Sequence, residues 1–290
     1  MRNRIVVSEK PLFITILIAV IITGGLTITS LHRTGSTNPT SILCTFVNSQ
    51  SQSQSQSQSQ SQSELKQPTT YISAILYYAT TRTTAQQTLP EIKVAVDVLQ
   101  TLAPCNLLIF GIGHESLMWA SLNPRGTTLF LEDDLNSVHK ILNDAPSLRV
   151  HHISYATQLS DADYLLTSYK TSPKCLPPQV YLKGNTRCKL ALSSLPEEVY
   201  KREWDAIIID GPKGYYGEAP GRMAAIFSAA VMARGRGKAG DTHVFVHDVN
   251  RKVEKEYAEE FLCKNNLVTS ENRLWHFKIP PAAKHSPTFC

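Results

Sequence analysis

The sequence predicts a doubly wound α/β domain with a mostly parallel sheet, preceded by one membrane-spanning segment. Short, wholly apolar runs carry the first part of this: NLLIF (Asn106–Phe110), AIII (Ala206–Ile209) and VFV (Val244–Val246) read as central strands covered on both faces. Helical periods fall between such runs, and strands alternating with helices imply a parallel sheet. The charge-free stretch Leu12–Ile28, well ahead of the first strand, carries the second part.

That stretch spans seventeen residues, near the lower limit for crossing a bilayer. Arg2, Arg4 and Lys10 precede it, and His32 and Arg33 follow. The positive-inside bias makes residues 1–11 a cytosolic tail, 12–29 a signal anchor and everything beyond lumenal. A cleaved signal peptide competes, but the run exceeds a usual apolar region and no clear Ala-x-Ala site follows. Ser49–Ser63 alternates Ser with Gln and has no apolar face at any period, so residues 30–69 read as a disordered stem. Residues 70–290 remain for one domain of ordinary size. The net charge of +5 is spread out, which excludes a nucleic-acid partner of the usual basic-patch kind. The six cysteines include no zinc spacing. In a lumenal domain Cys175 and Cys188 either pair around the Pro-containing segment between them or stay free. Cys105, at the start of a strand, reads as a buried thiol.

Within the domain, regular pattern starts near Thr84. Pro90–Ala103 has helical spacing with Pro in the first turn. NLLIF then runs into the turn GIGHES, and SLMWAS is a helix stopped by Asn123-Pro124. TTLFLEDD is a strand ending in acids, and LRVHHISYAT is a third strand. Residues 158–203 are mixed and broken by Pro173, Pro177, Pro178 and Gly184. The strand ending at Asp210, the Ala-rich helix PGRMAAIFSAAVMAR and the strand ending at His247-Asp248 follow. An amphipathic helix from Arg251 and a last strand, NRLWHFKIP, complete the domain.

Ligands of such sheets bind beyond the carboxyl ends of the strands, so Gly111–Ser116, Glu132, Asp210 and His247-Asp248 converge on one edge. Gly111-x-Gly113 is either a plain tight turn or a cofactor loop, because the third glycine of the dinucleotide fingerprint is missing. Glu132, at the end of the next strand, is placed to accept the ribose hydroxyls of an adenosine cofactor, with Asp133 as the fallback. A loop short of glycines suits S-adenosylmethionine, which has no phosphate, better than NAD. Asp210, Asp248 and Asn250 supply oxygen ligands of the kind that hold a divalent cation, with His247 as a further ligand or a general base. Asp210 before Gly-Pro is otherwise a turn cap, and Asp248 a helix cap.

Three blocks, FGIGHESLMWASLNPRGTTLFLEDD, WDAIIIDGPKGYYGEAPGRMAAIFSAAVMAR and THVFVHDVNRKVEKEYAEEFLC with LWHF after it, closely resemble the plant glucuronoxylan 4-O-methyltransferases over about residues 90–280. The irregular-xylem-type xylan proteins share the DGP and HVFVHD parts. The resemblance implies a Rossmann-like methyltransferase fold in a Golgi type II membrane protein. It implies methyl transfer from S-adenosylmethionine to the 4-hydroxyl of glucuronic acid side chains on xylan, dependent on a divalent metal, with other xylan-synthesis proteins as partners. The donor falls to Gly111, Gly113, His114, Glu115 and Glu132, and the metal to Asp210, Asp248, His247 and Asn250. Asp210, His247 and Asp248 are the expected catalytic groups. Lys213 and Arg222 are the candidates for the uronate carboxylate, and Tyr215, Tyr216 and Trp119 for stacking on sugar rings. A lumenal glycosyltransferase using LEDDL for its metal, and a non-catalytic xylan scaffold protein, are the other function classes the chain admits.

Overall fold

The computed structural model describes residues 69–283 and 286–290. The anchor Leu12–Ile28, the Ser/Gln stem and Cys44 lie outside them. Among the described residues no helix is long and apolar enough to cross a membrane.

Thr69–Thr80 forms α1, unforeseen in the sequence, and Leu89–Leu102 forms α2. The latter opens on a capping box: Glu91 accepts from the Thr88 backbone N–H and hydroxyl. Asn106–Phe110 is β1, Ser116–Ser121 is α3, Thr127–Glu132 is β2 and Leu135–Asp144 is α4. Val150–His152, β3, is a third strand much shorter than its sequence run. After the stretch that holds Ala162–Ser168 (α5) and Glu197–Lys201 (α6) come Ala206–Ile209 (β4), Met223–Arg234 (α7) and Thr242–Val246 (β5). Lys252–Ala258, α8, continues as a π-helical turn over Glu259–Cys263. Leu267–Glu271 (β6) and Leu274–Ile279 (β7) close the domain.

The sheet order is β3-β2-β1-β4-β5-β7-β6. The five strands from β3 to β5 are parallel, as expected of a doubly wound sheet. The chain winds outward from β1 in both directions, which puts the switch point between β1 and β4. The last strand departs from parallel: β7 runs antiparallel to both β5 and β6. The cause is local, since only Asn272 and Arg273 separate β6 from β7, with Asn272 at φ 48°, and so short a turn can only reverse the chain. The period-2 alternation sends Leu108, Phe110, Ile207 and Ile209 into one core and Leu107, Ile109, Ala206 and Ile208 into the other.

Cys175 and Cys188 do pair, and Cys263 pairs with Cys290, a link the sequence did not single out. Cys105 is a buried free thiol.

One buried pair has a measurable consequence. His276 stacks on Phe245 at 4.4 Å, and its Nε2 lies 2.9 Å from His243 Nδ1. Burial first, then His243 and Lys278, push the His276 pKa down to about 4. The neutral ring is the folded form, whereas the unfolded chain takes up a proton near the ordinary value. This contribution is therefore complete above the ordinary histidine pKa and is lost as pH falls toward 4. Urea unfolding should show stability lower by about 2 kcal/mol at about pH 5 than at about pH 7.5, with His276→Gln flattening that slope. An unchanged slope in the variant would assign the acid sensitivity elsewhere.

Candidate functional site

The register of the central strands builds the site. Ile209 sits opposite Val246, so the next residues, Asp210 and His247, emerge side by side at the carboxyl edge. His247 extends the ladder by donating its N–H to Ile209 O, and its Nδ1 lies 2.9 Å from Asp210 Oδ1. On the other side β1 ends at Gly111, with φ at 99°. A Cβ on Gly211 would lie 2.7 Å from Gly111 Cα, and one on Gly111 would lie 2.8 Å from Gly211 N. The turns leaving β1 and β4 therefore touch backbone to backbone, and only glycine at both positions allows it. The cavity at this crossing is lined by Gly111, Gly113, Glu115, Trp119, Asp210 and Gln86.

The two aspartates share a cation from within the chain. Arg222, almost wholly buried, donates from Nη1 to His247 O at 2.7 Å and from Nη2 to Asp210 O at 2.7 Å. Nη2 also lies 3.3 Å from Asp210 Oδ1 and 2.9 Å from Asp248 Oδ2. Nε reaches Pro212 O at 3.4 Å. Asp248, at φ 61°, turns its carboxylate back toward this group, and Arg251 and Arg273 reach it at 2.9 and 3.1 Å. Burial pushes the Asp210 carboxyl up, but the His247 hydrogen bond and the Arg222 charge outweigh it and hold its pKa below the ordinary value. Asp210 is thus an ionised carboxylate on the cavity wall.

Ligand atoms from Asp210, His247 and Asp248 lie within 4.8 Å of one another, a donor set that a hard divalent ion takes. As the side chains stand they do not fit such an ion, because three arginines already hold the same oxygens and offset both negative charges. Asn250, the fourth residue expected at the metal, is exposed.

Several neighbours of this group lie far away in sequence. Gln87 donates to Asp210 Oδ2 at 2.9 Å across 123 residues. Glu91 lies 3.8 Å from His247 Nε2, a buried nitrogen without a hydrogen-bond partner, and accepts from the Arg273 N–H at 2.9 Å. Burial raises the Glu91 carboxyl, but the backbone donors of Thr88 and Arg273 bring it below its ordinary value. The sequence analysis missed Glu91; the Thr88-x-x-Glu91 capping pattern is the local signal that could have marked it, and it explains only half of what that carboxylate does.

Glu132 ends β2 against the first turn. It accepts from the Ile112 N–H at 3.0 Å and from the N–H groups of Asp133 and Asp134 at 3.0 and 2.9 Å. Burial raises its pKa in spite of these donors, and Asp133 adds to the rise. His114, expected at a cofactor, packs against α1, while Glu115 lines the cavity beside Gly113. The Tyr78 hydroxyl donates to His114 O at 2.6 Å with the two rings edge to face, and Glu115 accepts from the Gln86 N–H at 3.0 Å. Trp119, expected at a sugar, is buried in the core behind the cavity. Arg222, expected at a uronate, has its donors spent inside the protein. Lys213 keeps a half-exposed ammonium, 3.5 Å from Asp134. Tyr215 and Tyr216 stand exposed beside it as an edge-to-face pair.

The family model IRX15/IRX15L/GXM matches residues 90–277. The chain belongs to that family. Arabinogalactan O-methyltransferase 1 of Arabidopsis thaliana is 52% identical over 285 residues, 98% of this chain and 96% of that protein. Glucuronoxylan 4-O-methyltransferase 1 of the same plant is 45% identical over 218 residues, 74% of this chain and 75% of that one. Protein IRREGULAR XYLEM 15, also from Arabidopsis thaliana, is 42% identical over 228 residues, 77% and 70% of the two chains. The family region runs from just inside α2 to β7, so it contains Glu91, Asp210, Arg222, Asp248 and Arg273 together.

Arg222→Leu leaves two carboxylates facing each other without their shared cation. Its unfolding free energy should fall by about 3–5 kcal/mol, as for other buried ion pairs broken from one side. Arg222→Lys should recover part of the loss, since a lysine keeps the charge but not the fork. Equal stability of all three proteins in urea would refute the bridging role.

Proposed function

We infer that this chain is an S-adenosylmethionine-dependent O-methyltransferase of plant cell-wall polysaccharides, with arabinogalactan as its acceptor. The single observation that carries the acceptor is the match to Arabinogalactan O-methyltransferase 1 along nearly the whole of both chains. The 4-hydroxyl of glucuronic acid on glucuronoxylan is the second reading, supported by the lower and shorter match to Glucuronoxylan 4-O-methyltransferase 1. The relationship to Protein IRREGULAR XYLEM 15 keeps a scaffold role as the outcome to expect if no donor binds. The glycosyltransferase reading loses its motif, because Glu132 holds the first turn and Asp134 caps α4.

The bound donor supplies an electrophilic methyl group, and the residues do the rest. In this reading the β1 turn carries the adenosine and Glu132 takes its ribose hydroxyls. Asp210, ionised and facing the cavity, accepts the proton of the attacking hydroxyl as the oxygen–carbon bond forms and the carbon–sulfur bond breaks. His247 is buried behind Asp210 and touches it rather than the acceptor, so it positions and polarises that carboxylate. Fixing hydroxyl and methyl in line supplies much of the acceleration. Lys213 is the cation left for a uronate, and Tyr215 and Tyr216 offer faces to a sugar ring.

A divalent ion enters this reading only by displacing Arg222 from the two aspartates. Lumenal placement behind the Leu12–Ile28 anchor, in the Golgi, belongs to the same proposal. The two disulfides support it, since such bonds persist in oxidising compartments.

Purified full-length protein given labelled donor and either polymer should methylate arabinogalactan in preference to glucuronoxylan; the reverse preference would select the second reading. Glu132→Gln should weaken donor binding in calorimetry by about 2 kcal/mol while the protein stays folded. Unchanged affinity would move the ribose contact to Asp133. Asp210→Asn should lose transfer with donor affinity kept. Full activity after exhaustive chelation is the result expected of an arginine-bridged pair, and its loss would show that an ion replaces Arg222.

A further inference from the structure

A second concave surface, apart from the strand-end cavity, lies on the disulfide-linked segment between β3 and β4. It is a groove of about 280 Å³ lined by Tyr164, Leu165, Tyr169, Arg187, Lys189 and Leu190. Leu165, Tyr169 and Leu190 are buried and form its floor, while the Tyr164 side chain stands 66% exposed on the wall. Arg187 and Lys189 are exposed and flank Cys188, which is bonded to Cys175. Asn185 braces the same loop by donating to Lys174 O and Tyr181 O at 2.8 and 2.7 Å. The backbone that carries the two cations is therefore braced before any ligand arrives, which lowers the ordering cost of binding.

Their charge is not spent. Nearby Lys170 and Lys183 pair with Glu260 and Glu197. Arg187 and Lys189 have no carboxylate partner among the described residues. Of the acids around the groove, Glu260 accepts from the Tyr169 hydroxyl and meets Lys170, and Asp163 is taken by Lys252 at 2.8 Å. What remains is an apolar floor, one aromatic face and two free cations. That combination suits a chain of sugar rings bearing carboxylates.

The segment that carries the groove is also tied to the loop after β4. Leu159 and Ser160 donate their N–H groups to Ala219 O and Gly217 O at 2.7 and 3.0 Å, and the Thr157 hydroxyl donates to Pro220 O at 2.9 Å. These bonds join the loop that carries Tyr215 and Tyr216 to the turn from which α5 and Tyr164 begin. We propose that this groove is a second saccharide subsite, which holds a uronate-bearing stretch of the acceptor polysaccharide away from the reacting hydroxyl. Tyr164 stacks on a pyranose ring, and Arg187 and Lys189 pair with carboxylates. The assignment of the ligand as acceptor rests on the function inferred above; the binding chemistry rests on the groove alone.

The test is direct binding of full-length protein to a uronate-bearing arabinogalactan and to the same polymer with its carboxyls reduced, by affinity electrophoresis. The wild type should bind the acidic polymer more tightly. The double variant Arg187→Gln, Lys189→Gln should lose about tenfold in affinity for it and little for the reduced polymer. Tyr164→Ala should weaken binding of both polymers, and all variants should bind S-adenosylmethionine as the wild type does, which certifies their fold. Equal wild-type affinity for the two polymers, or unchanged polymer affinity in the variants, would overturn the subsite. Failure of methyl transfer with this binding pattern intact would sink the inferred function and leave the subsite standing.

Discussion

The guanidinium of Arg222 is the contact through which the carboxyl edge of the sheet holds its shape. β4 and β5 each end on an aspartate, and two such carboxylates at close quarters repel unless something positive stands between them. Arg222 lies 3.3 Å from one and 2.9 Å from the other, and its second amino group ties down the carbonyl of His247. A planar fork can serve two carboxylates and two carbonyls at once, which a single ammonium cannot. Everything nearer the cavity, including the ionised state of Asp210 and the turned-back backbone of Asp248, presupposes that this side chain is in place.

The second constraint is the contact between Gly111 and Gly211. It brings the turns after β1 and β4 together at the switch point, so the glycine turn and the aspartate side of the site share one wall. Glu132 reaches that wall from β2 by holding the Ile112 N–H, while Gln87 reaches it from the approach to α2 by donating to Asp210. Four separate stretches of chain thus fix one cavity.

The strands and the convergence of their acids were legible because burial on both faces leaves a continuous apolar run, and because ligand position follows from strand direction. Asp210 and His247 were expected at one edge for this reason: each is simply the residue after a buried run. Arg222 was read as a candidate for the substrate's uronate because its neighbours in sequence, glycine on one side and the start of a helix on the other, say nothing about what closes over it. Gln87 and Glu91 were missed because their partners at the site lie more than a hundred residues away, and Arg273 because a helix and a strand separate it from Asp248; no local pattern encodes such contacts. The antiparallel β7 hides for another reason. Its apolar pattern resembles that of its parallel neighbours, and only the two-residue turn before it fixes the direction.

The link between Cys263 and Cys290 closes a loop that contains both β6 and β7, and with them Arg273 in the turn between. Cross-linking a loop of 27 residues removes roughly 3–4 kcal/mol worth of disorder from the unfolded chain. That benefit is concentrated on an edge hairpin, the part of a sheet with the fewest neighbours. Arg273 in turn holds Asp248 and the backbone end of Glu91's hydrogen bonds. A thiol reagent acting at the far margin of the sheet therefore has a mechanical route to the aspartates: loosening the hairpin slackens the turn, and the slackened turn withdraws one of the three cations that Asp248 relies on.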